Sequence, residues 1–243
     1  MAQAPLAFPV YSAASISNAA ANITGYYSPN TFISVYGQDL ASFTSSTAWA
    51  VDGHIIGIPG SGLRALVNNQ PASVYFQSPG QVNVLIPSFM VSGPATVQLL
   101  NEGRAGPAVQ IMLGDTAPAL FPMQGQFAIA THGNGPVVTS DYPATRGEVV
   151  VIYAGGLGPT NPAQLPYDAA YQAAQVTRFK EFQVLLNNVP VDPSLIQYVG
   201  VTPGYAGLYQ INLKLPANAP NDPDVRIGYP ERMSPSGRTL PLR

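Results

Sequence analysis

Apolar residues along this chain come in short runs with turn-forming residues between them, and the runs are of two kinds. Phe32 to Tyr36 and Val149 to Tyr153 are almost continuously apolar, rich in β-branched and aromatic side chains, with Pro29 or Gly147 before them and a glycine after. Runs of that length and composition predict strands in the core of a sandwich. Gln81-Val82-Asn83-Val84 and Gln210-Ile211-Asn212-Leu213 instead alternate polar with apolar, which predicts strands with one buried and one wet face. Pro87 and Pro216 come after them, and proline ends a ladder because it has no N–H to donate. Asn68-Asn69 and Asn187-Asn188 each separate an apolar strand from one led by proline, and asparagine tolerates the positive φ of a tight hairpin. Strands spaced about 8 to 12 residues apart with turn signals between them predict an all-β sandwich architecture.

The same pattern occurs twice. Thr31 to Leu40 aligns with Glu148 to Leu157, Leu66-Val67-Asn68-Asn69-Gln70-Pro71 with Leu185-Leu186-Asn187-Asn188-Val189-Pro190, and Gln81 to Pro87 with Gln210 to Pro216. Three blocks recur in one order at slowly growing offsets, as a tandem duplication with lengthened loops would give. The expected organisation is an N-terminal extension or edge strand over residues 1–21, a first immunoglobulin-like sandwich over 22–113, a linker at 114–118 and a second sandwich over 119–243. The second unit carries two enlargements. One is an added hairpin from Leu120 to Thr139 turning at Gly133-Asn134-Gly135-Pro136. The other is the stretch Thr160 to Val176, where Asp168 could cap a helical turn or two.

Composition removes the alternatives to this picture. Of 243 residues, 9% are charged against about 25% in an ordinary globular chain, so there is too little Glu, Lys and Arg to solvate long helices. Pro and Gly number 25 and 23, but 46% of the chain is hydrophobic, which argues against disorder. A formal net charge of −2 offers no basic patch to nucleic acid or an anionic membrane. The absence of Cys excludes a disulfide scaffold, Cys-ligated zinc and thiol catalysis. No apolar run approaches the 18 residues of a membrane-spanning helix. Ala2-Gln3-Ala4 has the small-x-small form of a signal-peptidase site, and with the low Lys content it suggests export; an ordinary N-terminus is the alternative.

The order of motifs resembles the IPT/TIG class of immunoglobulin-like domains: Ser28-Pro29, a strand ending Tyr36-Gly37-Gln38-Asp39-Leu40, Val67 to Ala72, Ser78 to Pro87 and Gly93 to Val97. In the second half, Arg146 to Tyr153, Gly156-Leu157-Gly158-Pro159-Thr160-Asn161-Pro162 and Pro203 to Asn212 look like an uncharacterised C-terminal module of secreted proteins from Solibacter and other Acidobacteria. The resemblance covers nearly the whole chain from about Tyr11. It departs from the usual pattern in having Asn-Asn for Gly-Gly at the middle hairpin and in the segment Pro230 to Arg238, which leaves the register of the last hairpin open. The resemblance implies a secreted or cell-surface protein with no assigned activity.

Candidate chemistry is sparse. His54 and His132 are the only imidazoles and lie in loop-like sequence, so solvated side chains are expected. Gly60-Ser61-Gly62 lacks the frame of a nucleophile elbow, and Gly155-Gly156-Leu157-Gly158 has no following Lys, so both read as turns. Asn221-Asp222-Pro223-Asp224 could offer oxygens to Ca²⁺ or be a capped turn, and the turn is favoured because no bidentate Glu comes after it. Tyr36, Tyr153 and Tyr209 fall in strand patterns and are expected to pack inward. Tyr167 and Tyr171, four apart in the long insertion, are the candidate ligand-binding residues: they would share a face if that stretch were helical and could stack on a sugar, or else staple the loop to its own domain.

Taken together, these features predict a non-catalytic extracellular structural or interaction module needing no metal or cofactor, with a carbohydrate-binding module as the alternative. Its expected partner is a protein or a cell-surface glycan. Homo-assembly through edge strands is a further expectation, because only Lys180 and Lys214 are there to guard the edges and Pro5 to Ser12 could lie as an added strand on its own domain or on a neighbour.

Overall fold

The computed structural model describes residues 7–46, 57–58, 60–123, 125–133, 135–164 and 172–243. The chain divides between Asp115 and Thr116 into two compact units. Both are all-β, built of antiparallel strands with only short 3-10 turns among the described residues. No helix among those residues is long and apolar enough to cross a membrane.

In the first unit, Ile16–Asn18, Phe32–Tyr36 and Gln81–Leu85 form one ladder, completed by the far end of Gln70–Gln77. Leu63–Val67, the near end of Gln70–Gln77, Gly93–Asn101 and Val109–Leu113 form a second. Strand Gln70–Gln77 belongs to both, and it changes ladder where Tyr75 bulges out between Val74 and Phe76. Ile33, Val35, Val82 and Val84 from the first ladder meet Ala65, Val67, Val97, Leu99 and Ile111 from the second in one core cluster. Burying an aliphatic side chain of this size stabilises the fold by about 1.5 to 3 kcal/mol.

Over its described residues the N-terminal segment docks on its own unit. Val10 exchanges two backbone hydrogen bonds with Gln38, at 2.9 and 3.0 Å. Tyr11 is buried, its hydroxyl donating to Pro107 O and accepting from Leu99 N, both at 2.7 Å.

The second unit repeats the pairing of the recurrent blocks. Val149–Gly155 pairs with Tyr209–Lys214, as Phe32–Tyr36 pairs with Gln81–Leu85. Ile196–Val201 lies on the other side of Tyr209–Lys214, again with a bulge, this time at Gln197 between Ile196 and Tyr198. Gln183–Leu186, Val189–Pro190, Val225–Tyr229 and Arg232–Met233 make a separate four-stranded sheet. Val150, Ile152, Ile211 and Leu213 pack with Val184, Leu186, Val225 and Ile227. Val151 is 3% exposed but lies outside this cluster, on the opposite face of its strand beside Asn212.

Both Asn-Asn turns have the geometry their sequence predicts. Asn68 and Asn69 have φ of 50° and 60°, and Asn187 and Asn188 have 50° and 62°. The first Asn of each pair accepts a backbone hydrogen bond at 2.8 Å, from Thr96 N in one unit and Asp224 N in the other.

One local expectation changes, and two further stretches gain detail. Leu120 to Thr139 forms two turns instead of one hairpin: Pro122–Met123 pairs with Phe127–Ala128, and Ala130–His132 runs on against Val149–Gly155 before the chain reverses to bridge Thr131 with Val137. Thr116 and Ala117, read as linker, are buried, and Ala117 N donates to Gly156 O at 2.9 Å. A Cβ on Gly156, which has φ of +72°, would fall 2.1 Å from Ala117 O, so glycine is required there. In the last hairpin Tyr229 stands opposite Arg232, with Pro230 and Glu231 as its turn. Thr160–Asn161 pairs with Ala174–Val176; residues 165–171, including Asp168, lie outside the described residues.

Candidate functional site

Alternation in Gln81–Leu85 and Tyr209–Lys214 sends Val82, Val84, Ile211 and Leu213 into the cores and Gln81, Asn83, Gln210 and Asn212 to the outer faces. Register then decides their neighbours. Tyr36 lies opposite Gln81 and Ser34 opposite Asn83; Tyr153 lies opposite Gln210 and Val151 opposite Asn212. In both units the Gln Nε2 donates to the Asn Oδ1, at 2.9 Å in the first and 3.0 Å in the second. That bond holds the two amides side by side while leaving the Gln Oε1 and the Asn Nδ2 without partners among the described residues. Both units therefore present a Tyr–Gln–Asn row on a sheet face.

The row in the second unit is longer. Its next strand places Tyr198 opposite Asn212 and Gly200 opposite Gln210, with exposed Gln175 beyond Gly200. A Cβ on Gly200 would lie 2.4 Å from Tyr198 Oη and 2.7 Å from its Cζ, so the phenol ring rests over the glycine instead of standing off the sheet. Tyr198 Oη donates to Val201 O at 3.0 Å, and burial raises the pKa of this phenol, which keeps its proton in place as a donor. The aromatic side chains of Tyr153 and Tyr198 flank the Gln210–Asn212 pair, and Lys214 closes one end of the face opposite Val149.

Strand pattern predicts inward packing for Tyr36, Tyr153 and Tyr209, and only Tyr209 packs that way, its hydroxyl donating to Gly158 O at 2.7 Å. Tyr36 is 41% exposed and Tyr153 half-buried, because the parity of their strands points both outward. Tyr167, Tyr171 and His54 lie outside the described residues.

His132 is not the solvated loop side chain its sequence suggests. It ends strand Ala130–His132 with only 12% of its side chain exposed, and its Nδ1 lies 3.0 Å from Glu148 Oε1. Its Nε2 is 3.2 Å from Tyr142 O, and its ring stacks on Tyr142 with centroids 4.1 Å apart. Glu148 Oε1 also accepts from Thr145 N at 3.1 Å. Both ring nitrogens thus face acceptors of the protein itself, an arrangement that clamps the 142–148 loop.

The other polar clusters are likewise turned inward on their own unit. Arg178 bridges Glu181 and Glu231 and lies over the Tyr229 ring at 4.4 Å, and its hydrogen bonds hold both carboxyls below their ordinary pKa. One side-chain oxygen of each of Asn221, Asp222 and Asp224, the segment considered for calcium, is similarly engaged. Asn221 accepts from Arg146 at 2.5 Å, Asp222 from Arg243 and from Leu242 N, and Asp224 from Gly237 N at 2.6 Å. Among the described residues no three His, Asp or Glu side chains converge as a metal site would require.

No protein-family model matches the chain, and no curated protein does. Among solved structures, one determined with a xylogluco-oligosaccharide aligns with 96% of this chain at 15% identity and a TM-score of 0.27. The alignment covers 41% of that protein, so the chain spans less than half its length. Murine CEACAM1b aligns with 89% of this chain and 95% of its own at 12% identity and a TM-score of 0.21.

Proposed function

We propose that the chain is a non-catalytic extracellular interaction module whose two units are tandem immunoglobulin-like sandwiches of the IPT/TIG type, like the secreted Acidobacteria-type module that its second half resembles. The observation that carries the reading is the duplicated Tyr–Gln–Asn row, a polar and aromatic surface set on a hydrogen-bonded ladder in both units. A rigid sheet face holds such side chains in one geometry and lowers the entropy lost on binding. The titratable clusters support the same reading: His132, Glu148, Arg178, Glu181 and Glu231 are each committed to contacts that fasten loops of their own unit.

The test of the non-catalytic part is an activity panel on the intact protein with ester, glycoside, phosphoester and peptide substrates. The expected result is no turnover above buffer. Turnover that disappears in His132→Gln would overturn the reading, since it would make a clamp residue a catalytic one. The extracellular part is tested by labelling intact and broken source cells with an antibody to the chain; signal from broken cells alone would count against it.

A further inference from the structure

We infer that the outer face of the second unit, with Tyr153 and Tyr198 on either side of the Gln210–Asn212 pair, binds a neutral, linear carbohydrate chain. The inference rests on the interaction-module reading and names its ligand class. The Gln210–Asn212 hydrogen bond at 3.0 Å leaves an acceptor, Gln210 Oε1, beside a donor, Asn212 Nδ2. Adjacent hydroxyls of a sugar each donate and accept, so a vicinal diol matches such a pair. Because the two amides already hold each other, little side-chain freedom is left to lose when the diol arrives.

The aromatic rings complete the match. A pyranose presents C–H groups on its faces, and these pack against the negative face of an aromatic ring. Gly200 is what lets Tyr198 lie along the sheet, since any Cβ there would collide with the phenol. Tyr198 Oη is tied to Val201 O at 3.0 Å, which fixes the ring in that attitude. Tyr153 and Tyr198 sit on strands to either side of Tyr209–Lys214, two strand spacings or about 10 Å apart, the reach of a short stretch of chain and not of one sugar.

Charge decides between sugar classes. The row itself contains Gln175, Gly200, Gln210, Tyr153, Tyr198 and Asn212, with no ionisable carboxylate or amine among them. Among the described residues of the strands that form the face, the charged side chain is Lys214, at its end opposite Val149. A neutral chain leaves no charge stranded against the amides, whereas a uronic acid polymer would bring carboxylates with no cation in the row to receive them. The first unit has the Tyr36–Gln81–Asn83 row but reverses at Ser78, where the second unit has Gly200, and opposite Asn83 it carries Phe76, which has no hydroxyl to tie its ring to the backbone.

The experiment is titration calorimetry of the intact chain with cellohexaose, laminarihexaose and polygalacturonate, paired with ¹⁵N NMR of the side-chain amides. The expected result is binding of a neutral hexasaccharide that shifts the Gln210 and Asn212 NH₂ signals in the wild-type protein. Gln210→Ala should weaken that binding about tenfold or more without moving the melting transition, Tyr198→Ala should weaken it at least as much at a temperature where the variant is still folded, and Gln81→Ala should change it less than about twofold. Binding of polygalacturonate alone, binding that survives Tyr198→Ala with Gln210→Ala, or no binding of any probe would each overturn the inference. The last outcome leaves the module reading standing, whereas cleavage of a hexasaccharide during the titration would overturn the module reading itself.

Discussion

The two units differ most at the strand that comes after the Asn-Asn hairpin. In the first, Gln70–Gln77 is continuous: it leaves the hairpin, bulges at Tyr75, pairs with Gln81–Leu85 and turns back at once through Ser78-Pro79-Gly80. In the second, Val189–Pro190 stops, a 3-10 turn at Pro193–Leu195 capped by Asp192 intervenes, and a separate strand, Ile196–Val201, pairs with Tyr209–Lys214. The bulge is kept at the same place, so Phe76 stands opposite Asn83 and Tyr198 opposite Asn212. Only the turn is deferred, from Ser78 in one unit to the loop between Thr202 and Leu208 in the other. One ladder can therefore be held constant while the length of its outer face is set by where the chain is allowed to reverse.

Several substitutions would break or sharpen this comparison. The largest effect is expected from carboxylates placed in the equivalent cores. Val84→Asp and Leu213→Asp, both at fully buried positions, should each cost about 4 kcal/mol or more and remove the calorimetric transition of one unit only. Val151→Asp places a carboxylate on the other face of its strand but at a position only 3% exposed, so it should also cost about 3 kcal/mol or more. Loss of both transitions from either core variant would show that the units do not fold independently.

Gly200→Ala probes the deferred turn directly. Its Cβ would meet Ala174 O at 2.2 Å as well as the Tyr198 ring, so a loss of about 2 to 3 kcal/mol is expected by chemical denaturation. A stability within error of wild type would mean that the ring is not seated on the glycine. Next in size is Tyr11→Phe, which removes a group that both donates and accepts and should lower first-unit stability by about 2 kcal/mol; Tyr209→Phe removes the bond to Gly158 O and should cost about 1 kcal/mol or more in the second. Asn68→Ala and Asn187→Ala should cost the same, about 1.5 kcal/mol each, since both lose a positive-φ residue and a side-chain acceptor at 2.8 Å; unequal losses would break the equivalence of the two turns.

The smallest effect is electrostatic and confined to the second unit. Glu181 and Glu231 have folded pKa values below the ordinary 4.5, through hydrogen bonds from Arg178. A depressed folded value means that the stabilisation is complete above 4.5 and is lost as pH falls through that value and below. The second transition should thus decline slightly more steeply with acid in wild type than in Arg178→Met, and the difference should shrink in 1 M salt because all three groups reach solvent. Parallel pH curves for the two proteins would sink the assignment.

Much of the ladder was legible in the sequence because alternation states which face is buried. Gln81 to Val84 and Gln210 to Leu213 carry that statement directly, and the Asn-Asn pairs carry the turn between their strands. The outward setting of Tyr36 and Tyr153 was not legible, since a run that is apolar at nearly every position has no parity to read; Ser34 was the one polar mark in its strand. The aligned blocks put both tyrosines at the same repeat position, but only the ladder register shows that each faces the Gln of a Gln-x-Asn. The His132–Glu148 contact was hidden for another reason: it depends on His132 lying opposite Val150, a pairing across a long loop that no local signal encodes.

The bulges at Tyr75 and Gln197 bear on how such a strand tolerates change at the level of the gene. Each is a supernumerary residue that resets the in-and-out parity of the rest of its strand, so Ile196 and Val199 both face the core although an unbroken strand would set them on opposite sides. Deleting the codon for Gln197 would leave Ile196 inside, Tyr198 outside and Val199 inside, a regular alternation with every neighbour kept. Deleting the codon for Val199 would instead turn Gly200 and Val201 over and strip the platform from the ladder. Within this strand, loss of either Gln197 or Tyr198 keeps the core-facing set, and loss of Gln197 alone also keeps the Tyr198 ring, so a repeat can shed the bulge without losing the face beside it.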